Sequence, residues 1–329
     1  MNASKTGEFR LIDRIIEEIK KVEPGDWDSL ISGIGDDAAV IEFKSKYQLA
    51  TTDSLIEDIH FEMNFLDWEA LGWKALAVNL SDIAAMGGTP KYALVSLNLP
   101  ASTDFDDVVR LYRGMLQLAK ASGTIIAGGN ISRAEKLAVH ITAVGEAAGK
   151  SKTLLRGAAR NGDLIAVTGS LGGAAAALET PYRSINIDRQ DAEALKKAFW
   201  RPQPRLEAGK VMVKHGIRCA IDISDGLLAD LGHILEASGT GARIEACKIP
   251  VNPAATATCG AKSLELALTG GEDYELLFTG KAGAVKRVAS DAGCPVTVIG
   301  KITRHAGKLE VMDSRGRRMN IEGGGWRHF

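Results

Sequence analysis

Apolar residues recur along this chain in two rhythms, and their alternation sets out the elements. Phe9, Leu11, Ile12, Ile15, Ile16 and Ile19 keep a helical spacing that closes before Pro24 and Gly25. Ala39, Val40 and Ile41 predict a strand, and 47–52 a second one that runs directly into Asp53. From Trp68 onward a long helix is predicted, with Leu76, Leu80, Ile83 and Met86 repeating at spacings of four and three. The pattern then predicts a buried strand at 92–99, a helix at 104–121 and a short strand at 124–127 leading into Gly128, Gly129 and Asn130. A further strand follows at 137–144, and the polar stretch Gly149-Lys150-Ser151-Lys152 reads as a domain boundary.

The pattern restarts beyond that stretch. A strand at 163–168 precedes Gly169 and an alanine-rich helix, and 181–190 reads as a mobile loop. Pro202 and Pro204 punctuate the chain before another helix. Residues 219–222 predict a strand that turns at Ser224-Asp225-Gly226, with a helix starting at Leu227. Leu266 to Leu268 lead into Thr269-Gly270-Gly271-Glu272-Asp273, and strands are predicted at 274–278, 296–299 and 309–312. Helices and strands alternate without a purely parallel pattern. The expected fold is therefore α/β (α+β) in two lobes, divided as 1–149 and 150–329.

Composition narrows the function. A chain of 329 residues that is 45% hydrophobic can bury a core of that size. Its 40 basic and 41 acidic residues are nearly balanced and form no basic run, which argues against nucleic-acid or membrane-surface partners. The N-terminal residues lack the apolar core of a signal peptide, and Cys219, Cys247, Cys259 and Cys294 form no Cys-x-x-Cys pair. A cytoplasmic protein with neither zinc site nor disulfide framework is expected.

Candidate chemistry lies in the acids. Asp36-Asp37, Asp53, Asn130, Asp222 with Asp225, and Glu272-Asp273 stand at predicted strand ends or in adjoining turns. Asp82, beside Asn79 and Ser81, interrupts the long apolar helix. Any one of these is an ordinary turn or cap signal. Their recurrence is different, because ligands gather at strand ends of open sheets. Carboxylates brought together repel unless a cation joins them, and oxygen donors without His or Cys select magnesium over zinc. Magnesium in turn bridges to phosphates, which implies a nucleotide. Two phosphate-loop lookalikes fail. Gly145 to Ser151 has its first glycine one residue too close for a Walker loop, and Gly33 to Ala38 leads into a strand with two acids where pyrophosphate would lie. No Gly-x-Ser-x-Gly elbow is present either.

In order along the chain stand Gly35-Asp36-Asp37, Thr51-Thr52-Asp53-Ser54, His60-Phe61, Asn79-Leu80-Ser81-Asp82-Ile83-Ala84-Ala85-Met86-Gly87, Asp222-Ile223-Ser224-Asp225-Gly226 and Gly270-Gly271-Glu272-Asp273-Tyr274-Glu275. This set resembles the thiamine-monophosphate kinase family, in the superfamily of aminoimidazole ribonucleotide synthetase and selenophosphate synthetase. The resemblance extends from Gly7 to Phe329. It implies a homodimer paired through the N-terminal domain, with ATP and several Mg2+ ions held between the domains. It also implies Asp37, Thr51, Thr52, Asp53, Asp82, Asn130, Asp222 and Asp225 as metal ligands, with Asp53, Asp82, Asp222 and Asp225 at the centre of catalysis. Tyr112, Gly129, Asn130, Arg156 and Ser224 would hold the nucleotide, and His60, Glu272 and Trp326 the thiamine monophosphate. Many members carry Gly-Gly-Asp where this chain has Gly129-Asn130, so one metal would bind without that charge.

The chemistry of such a reaction suits these residues. A phosphate monoester with its second pKa near ~6 is largely dianionic at neutral pH and needs no general base. It does need charge neutralisation and alignment of two anions. Arg156 can add a fixed positive charge, and Trp326 can stack on a cationic thiazolium. Two alternatives remain open at this stage: a relative activating another small substrate with ATP, and a magnesium-dependent nucleotide or thiamine-phosphate sensor without turnover.

Overall fold

The computed structural model describes residues 8–22, 30–32, 40, 41, 43, 47–63, 67–149, 152–179 and 187–321. The chain divides into two compact units. One comprises Met1–Ile83 with Thr89–Ala148, the other Ala84–Gly88 with Gly149–Phe329. The expected division at 149 does not account for Ala84–Gly88, which pack with the second unit.

In the first unit, helix α1 (Glu8–Lys20) and the paired strands β1 (Leu30–Ser32) and β2 (Val40–Ile41) precede the main elements. These are β3 (Gln48–Ile56), α2 (Trp68–Ala85), β4 (Thr89–Leu99), α3 (Phe105–Ser122), β5 (Ile125–Arg133) and β6 (Ala138–Glu146). Their four strands run in the order β3-β6-β4-β5, antiparallel except for the parallel pair β4–β5, whose crossover is α3. Helix α3 is well specified locally. The Asp104 side chain caps it by accepting the Asp106 N–H, Asp106 and Asp107 sit in its positive first turn, and Gly123 closes it at φ 70°. Helix α2 is buried nearly all round, from Leu71 through Leu80 with only Trp73 half-exposed, and so has little polar face. The two helices touch backbone to backbone. A Cβ on Gly72 would lie 1.9 Å from the Leu111 carbonyl oxygen, and one on Gly114 would lie 1.8 Å from that of Glu69.

The second unit contains a 3₁₀ turn (Arg156–Ala158), β7 (Leu164–Thr168), α4 (Gly173–Glu179), α5 (Arg189–Trp200) and α6 (Leu206–Lys214). Then come β8 (Cys219–Asp222), α7 (Leu227–Ser238), β9 (Gly241–Glu245), α8 (Pro253–Cys259), α9 (Ser263–Thr269), β10 (Leu276–Gly280), α10 (Ala282–Asp291), β11 (Val296–Thr303) and β12 (Leu309–Met312). The six strands run β12-β9-β11-β7-β10-β8, all antiparallel but for β12–β9. Alternate residues of the central strands enter two apolar clusters. Ile165, Val167, Ile221 and Leu277 join Leu231 and Ile234 of α7, while Ala166, Ala220, Leu276 and Phe278 join Met212, Val285 and Val288 of α6 and α10. A sheet covered on both faces explains why these strands read as continuous apolar runs. Ala84 and Ala85 belong to the second of those clusters, and a Cβ on Gly209 would lie 2.2 Å from the Ala84 carbonyl oxygen.

The mixed α/β fold in two units is the one expected. Several elements were not foreseen. Helix α5 begins at Arg189, inside the stretch read as a loop, and residues 181–186 lie outside the described residues. Strand β3 continues past Asp53 to Ile56, and β5 continues through Asn130 to Arg133, so neither residue stands at a strand end. Among the described residues no helix is long and apolar enough to cross a membrane.

Candidate functional site

Strand β3 alternates, so Thr51, Asp53 and Leu55 share one face of the sheet with Ala143, Ile141 and Val139 of β6. Helix α2 presents Asn79 and Asp82 there, three residues apart and thus neighbours on one helix face. The contacts are direct. The Thr51 hydroxyl donates to the Asp82 carboxylate, the Asp53 backbone N–H donates to Asn79 Oδ1 at 3.0 Å, and Asn79 Nδ2 donates to the Ala75 carbonyl at 3.0 Å. Burial pushes the Asp53 carboxyl up to about 6, helped by the charge of Asp82 and by a hydrogen bond between the two side chains. Two carboxyls in contact repel one another when both are charged, and a cation bound between them relieves that repulsion. Their donors are all oxygen, which fits a hard divalent ion such as Mg2+.

Other candidates of this unit stand elsewhere. Thr52 lies on the opposite face of β3, where its hydroxyl donates to the Ile141 carbonyl at 3.1 Å and accepts from Thr142 at 3.3 Å. Asn130 pairs in register with Ser96, which itself pairs with His140 and so shares the face of Ser54. Its Nδ2 donates to Ser132 Oγ at 2.9 Å. Strand alternation thus separates the side chains of Thr52 and Asn130 from the Asp53–Asp82 pair. Gly129 is required where it stands, because a Cβ there would lie 1.9 Å from the Val95 carbonyl oxygen. His60 occupies the turn after β3, its Nδ1 accepting the Ile56 N–H at 3.1 Å. Tyr112 is buried on α3 at 4% exposure, and burial raises its phenol. Asp37 lies outside the described residues.

The second unit assembles its own carboxylates. Strand β8 ends at Asp222, only 3% exposed, and the chain turns through Ile223-Ser224-Asp225 before α7. Gly226, at φ 118°, makes that turn, and a Cβ on it would lie 2.7 Å from the Thr269 carbonyl oxygen. One oxygen holds the loop from beneath: Asp230 Oδ2 accepts the backbone N–H groups of Ser224 at 3.1 Å, Asp225 at 3.2 Å and Gly226 at 3.1 Å. Asp230 is 2% exposed, and burial together with the charges of Asp222 and Asp225 lifts it to about 7 against the pull of its amide donors. Ligand atoms of Asp225, Asp230 and His233 fall within 4.8 Å of one another.

Against this loop lies 270–275. The Glu272 N–H donates to the Ser224 carbonyl at 2.7 Å, the Tyr274 N–H to Ile223 at 2.9 Å, and the Ile223 N–H to Glu275 at 2.8 Å. Glu272 and Tyr274 take positive φ of 68° and 50°, a left-handed backbone held by those bonds. Asp273 does not join the other acids. It accepts the Gly172 N–H at 2.8 and 3.0 Å at the start of α4, and burial pushes it up to about 8. Glu275 accepts from Arg205 Nε at 2.6 Å and from the Thr168 hydroxyl at 2.6 Å, closing a largely buried ion pair behind the loop. Arg156 is exposed on its 3₁₀ turn, where its carbonyl accepts from Ser238 Oγ at 3.0 Å. Trp326 lies outside the described residues.

Sequence reasoning missed Asp230. The available signal was an acid just inside a helix whose N-cap is glycine, the place from which a side chain reaches back to the preceding amides.

Two family models match the chain, the AIR synthase related protein N-terminal domain over residues 35–147 and the C-terminal domain over 160–312. A thiamine-monophosphate kinase of Aquifex aeolicus is 35% identical over 336 residues, covering 100% of both chains. Among solved structures, a thiamine-monophosphate kinase from Stenotrophomonas maltophilia superposes with a TM-score of 0.82 at 35% identity, covering 93% of this chain and 96% of that one. A second, AaThiL complexed with AMPPCP and TMP, gives 0.77 at 35% identity over 100% and 99%.

Proposed function

Since this chain belongs to the AIR synthase related protein family, we propose that it is an ATP-dependent phosphotransferase that converts thiamine monophosphate to thiamine diphosphate with release of ADP. The similarity to thiamine-monophosphate kinases runs over the whole chain, and one of the similar structures is a complex with AMPPCP and TMP. The observation in this chain that supports the reading most is the Asp53–Asp82 pair, two carboxyls in contact with the Thr51 hydroxyl donating to one of them.

The acceptor brings its own nucleophile, a phosphate oxygen that is largely deprotonated at neutral pH. The protein therefore supplies position and charge rather than a base. Asp53 and Asp82, steadied by Thr51 and Asn79, form one ligand set for Mg2+, and Asp222 with Asp225 form another. Mg2+ held by these carboxylates would supply positive charge against the phosphates. Gly129, Arg156 and Ser224 contribute to holding ATP, while His60 and Glu272 contribute to holding the thiamine phosphate. The first unit carries the nucleotide and magnesium set and pairs two copies in a homodimer. The second completes the nucleotide and substrate set.

The test is direct. Purified protein is incubated with thiamine monophosphate, ATP and Mg2+, beside an Asp82→Ala control, and the thiamine phosphates are separated by chromatography. Diphosphate forms only with all three components and the intact aspartate. Folded, ATP-binding protein that yields none sinks the assignment.

A further inference from the structure

We propose that Asp230 is a positioning residue for the phosphoryl transfer, setting through one carboxylate oxygen the shape of the loop that carries Asp222, Ser224 and Asp225. The proposal rests on the kinase reading for its catalytic meaning, and on geometry for everything else.

Three consecutive amides, those of Ser224, Asp225 and Gly226, converge on Asp230 Oδ2 at 3.1, 3.2 and 3.1 Å. Successive N–H groups pointing the same way are not a low-energy arrangement for a free turn. They form a concavity that needs an anion or a strong acceptor at its centre. Asp230 fills it from the first turn of α7, so the acceptor is covalently tied to the helix that follows the loop. At 2% exposure it leaves water no comparable access to replace it. The other side of the loop is fixed by the Glu272 N–H bond to the Ser224 carbonyl. Ser224 is thus gripped at its N–H by Asp230 and at its carbonyl by Glu272.

The consequence falls on metal loading. Asp222 precedes this gripped segment and Asp225 lies within it, so their spacing depends on its backbone. Removing the acceptor frees three amides at once and lets Asp225 turn relative to Asp222. An amide oxygen can accept the same three bonds, so Asp230→Asn keeps the loop and Asp230→Ala does not.

Two readouts separate this role from simple support of the fold. In Asp230→Ala, the Mg2+ concentration for half-maximal turnover rises about tenfold, because the backbone that spaces Asp222 and Asp225 is no longer held. The KM for thiamine monophosphate stays within about twofold, and Asp230→Asn restores the Mg2+ requirement to within about threefold of wild type. Independently of activity, hydrogen exchange of the Ser224, Asp225 and Gly226 amides is slow in wild type and Asp230→Asn, and fast in Asp230→Ala. Fast exchange of those amides in wild type or in Asp230→Asn overturns the proposal. So does an unchanged Mg2+ requirement in folded Asp230→Ala. Should Asp230→Ala fail to fold, the wild-type and Asp230→Asn measurements still decide. Should the wild type form no diphosphate, the kinase reading falls, and the same amides together with Mg2+-dependent ATP binding decide the positioning role.

Discussion

Asn79 links the backbone of Asp53 to its own helix, accepting the Asp53 N–H at 3.0 Å while donating to the Ala75 carbonyl at 3.0 Å. Asn79 is 1% exposed, and its amide oxygen is the acceptor of the Asp53 N–H. Asn79→Leu leaves the Asp53 N–H without its acceptor and is expected to cost about 1–3 kcal/mol. Urea unfolding followed by fluorescence measures that loss. The same variant should need more Mg2+ for half-maximal activity.

The ion pair of Arg205 and Glu275 gives a larger effect. Glu275 is 6% exposed and also takes the Thr168 hydroxyl, so losing its cation strands a buried charge. Arg205→Met should destabilise the protein by about 3 kcal/mol, near the range for breaking a buried pair from one side. Glu275→Gln, which leaves no orphaned anion, should cost less. A melting temperature that is unchanged in Arg205→Met would show that the pair contributes nothing.

Stability should also respond to pH through Asp273. Its carboxyl lies at about 8 in the folded chain, above the ordinary value of 3.8, so the folded state binds this proton more tightly than the unfolded one. For a group raised in this way, its contribution is fullest below the unfolded value and is lost as pH rises through the folded one. Between pH 4 and pH 8, then, Asp273 makes the protein less stable with rising pH. Asp273→Asn retains an acceptor for the Gly172 N–H and has no proton to lose. The difference in unfolding free energy between wild type and variant should shift with pH in the variant's favour. A difference independent of pH would remove this account of Asp273.

At Gly129 the constraint is purely steric. The nearest atom to an added Cβ is the Val95 carbonyl oxygen of the neighbouring strand, which cannot step aside without opening the β4–β5 pairing. Gly129→Ala is expected to lower stability by about 3 kcal/mol or more. Chemical denaturation gives the value directly, and a loss below ~0.5 kcal/mol, the range of ordinary surface changes, would contradict the packing.

How much of this was legible beforehand depended on how local the signal was. Asp82 could be placed on a helix because Leu76, Leu80 and Ile83 keep their spacing on either side of it. Asp222 and Asp225 were legible because an apolar strand breaks into Ser-Asp-Gly. Asp53 and Asn130 were misplaced along their strands for a common reason. Polar residues on a half-exposed strand look like its end, and Gly128-Gly129 look like a turn. The second glycine is in fact there for the close approach of Val95, a fact of tertiary packing. Asp273 sat among the candidate acids and turned out to serve α4, since the amide it accepts is distant in sequence. Asp230 carries only the weak pattern of an acid in the first turn after a glycine cap, and the convergence of three amides is what reveals it.

The place of Ala84–Gly88 bears on how this protein could have arisen and how it can be taken apart. Ala84 and Ala85 complete an apolar cluster of the second unit with Leu154, Ala208 and Met212, although they are threaded through the first half of the gene. A fragment starting after Gly149 would lack those two side chains and the Met86 carbonyl that accepts the Leu154 N–H at 3.2 Å. The halves are compact without being severable. A recombination event that swapped one half for a relative's would have to carry a matching helix end with it.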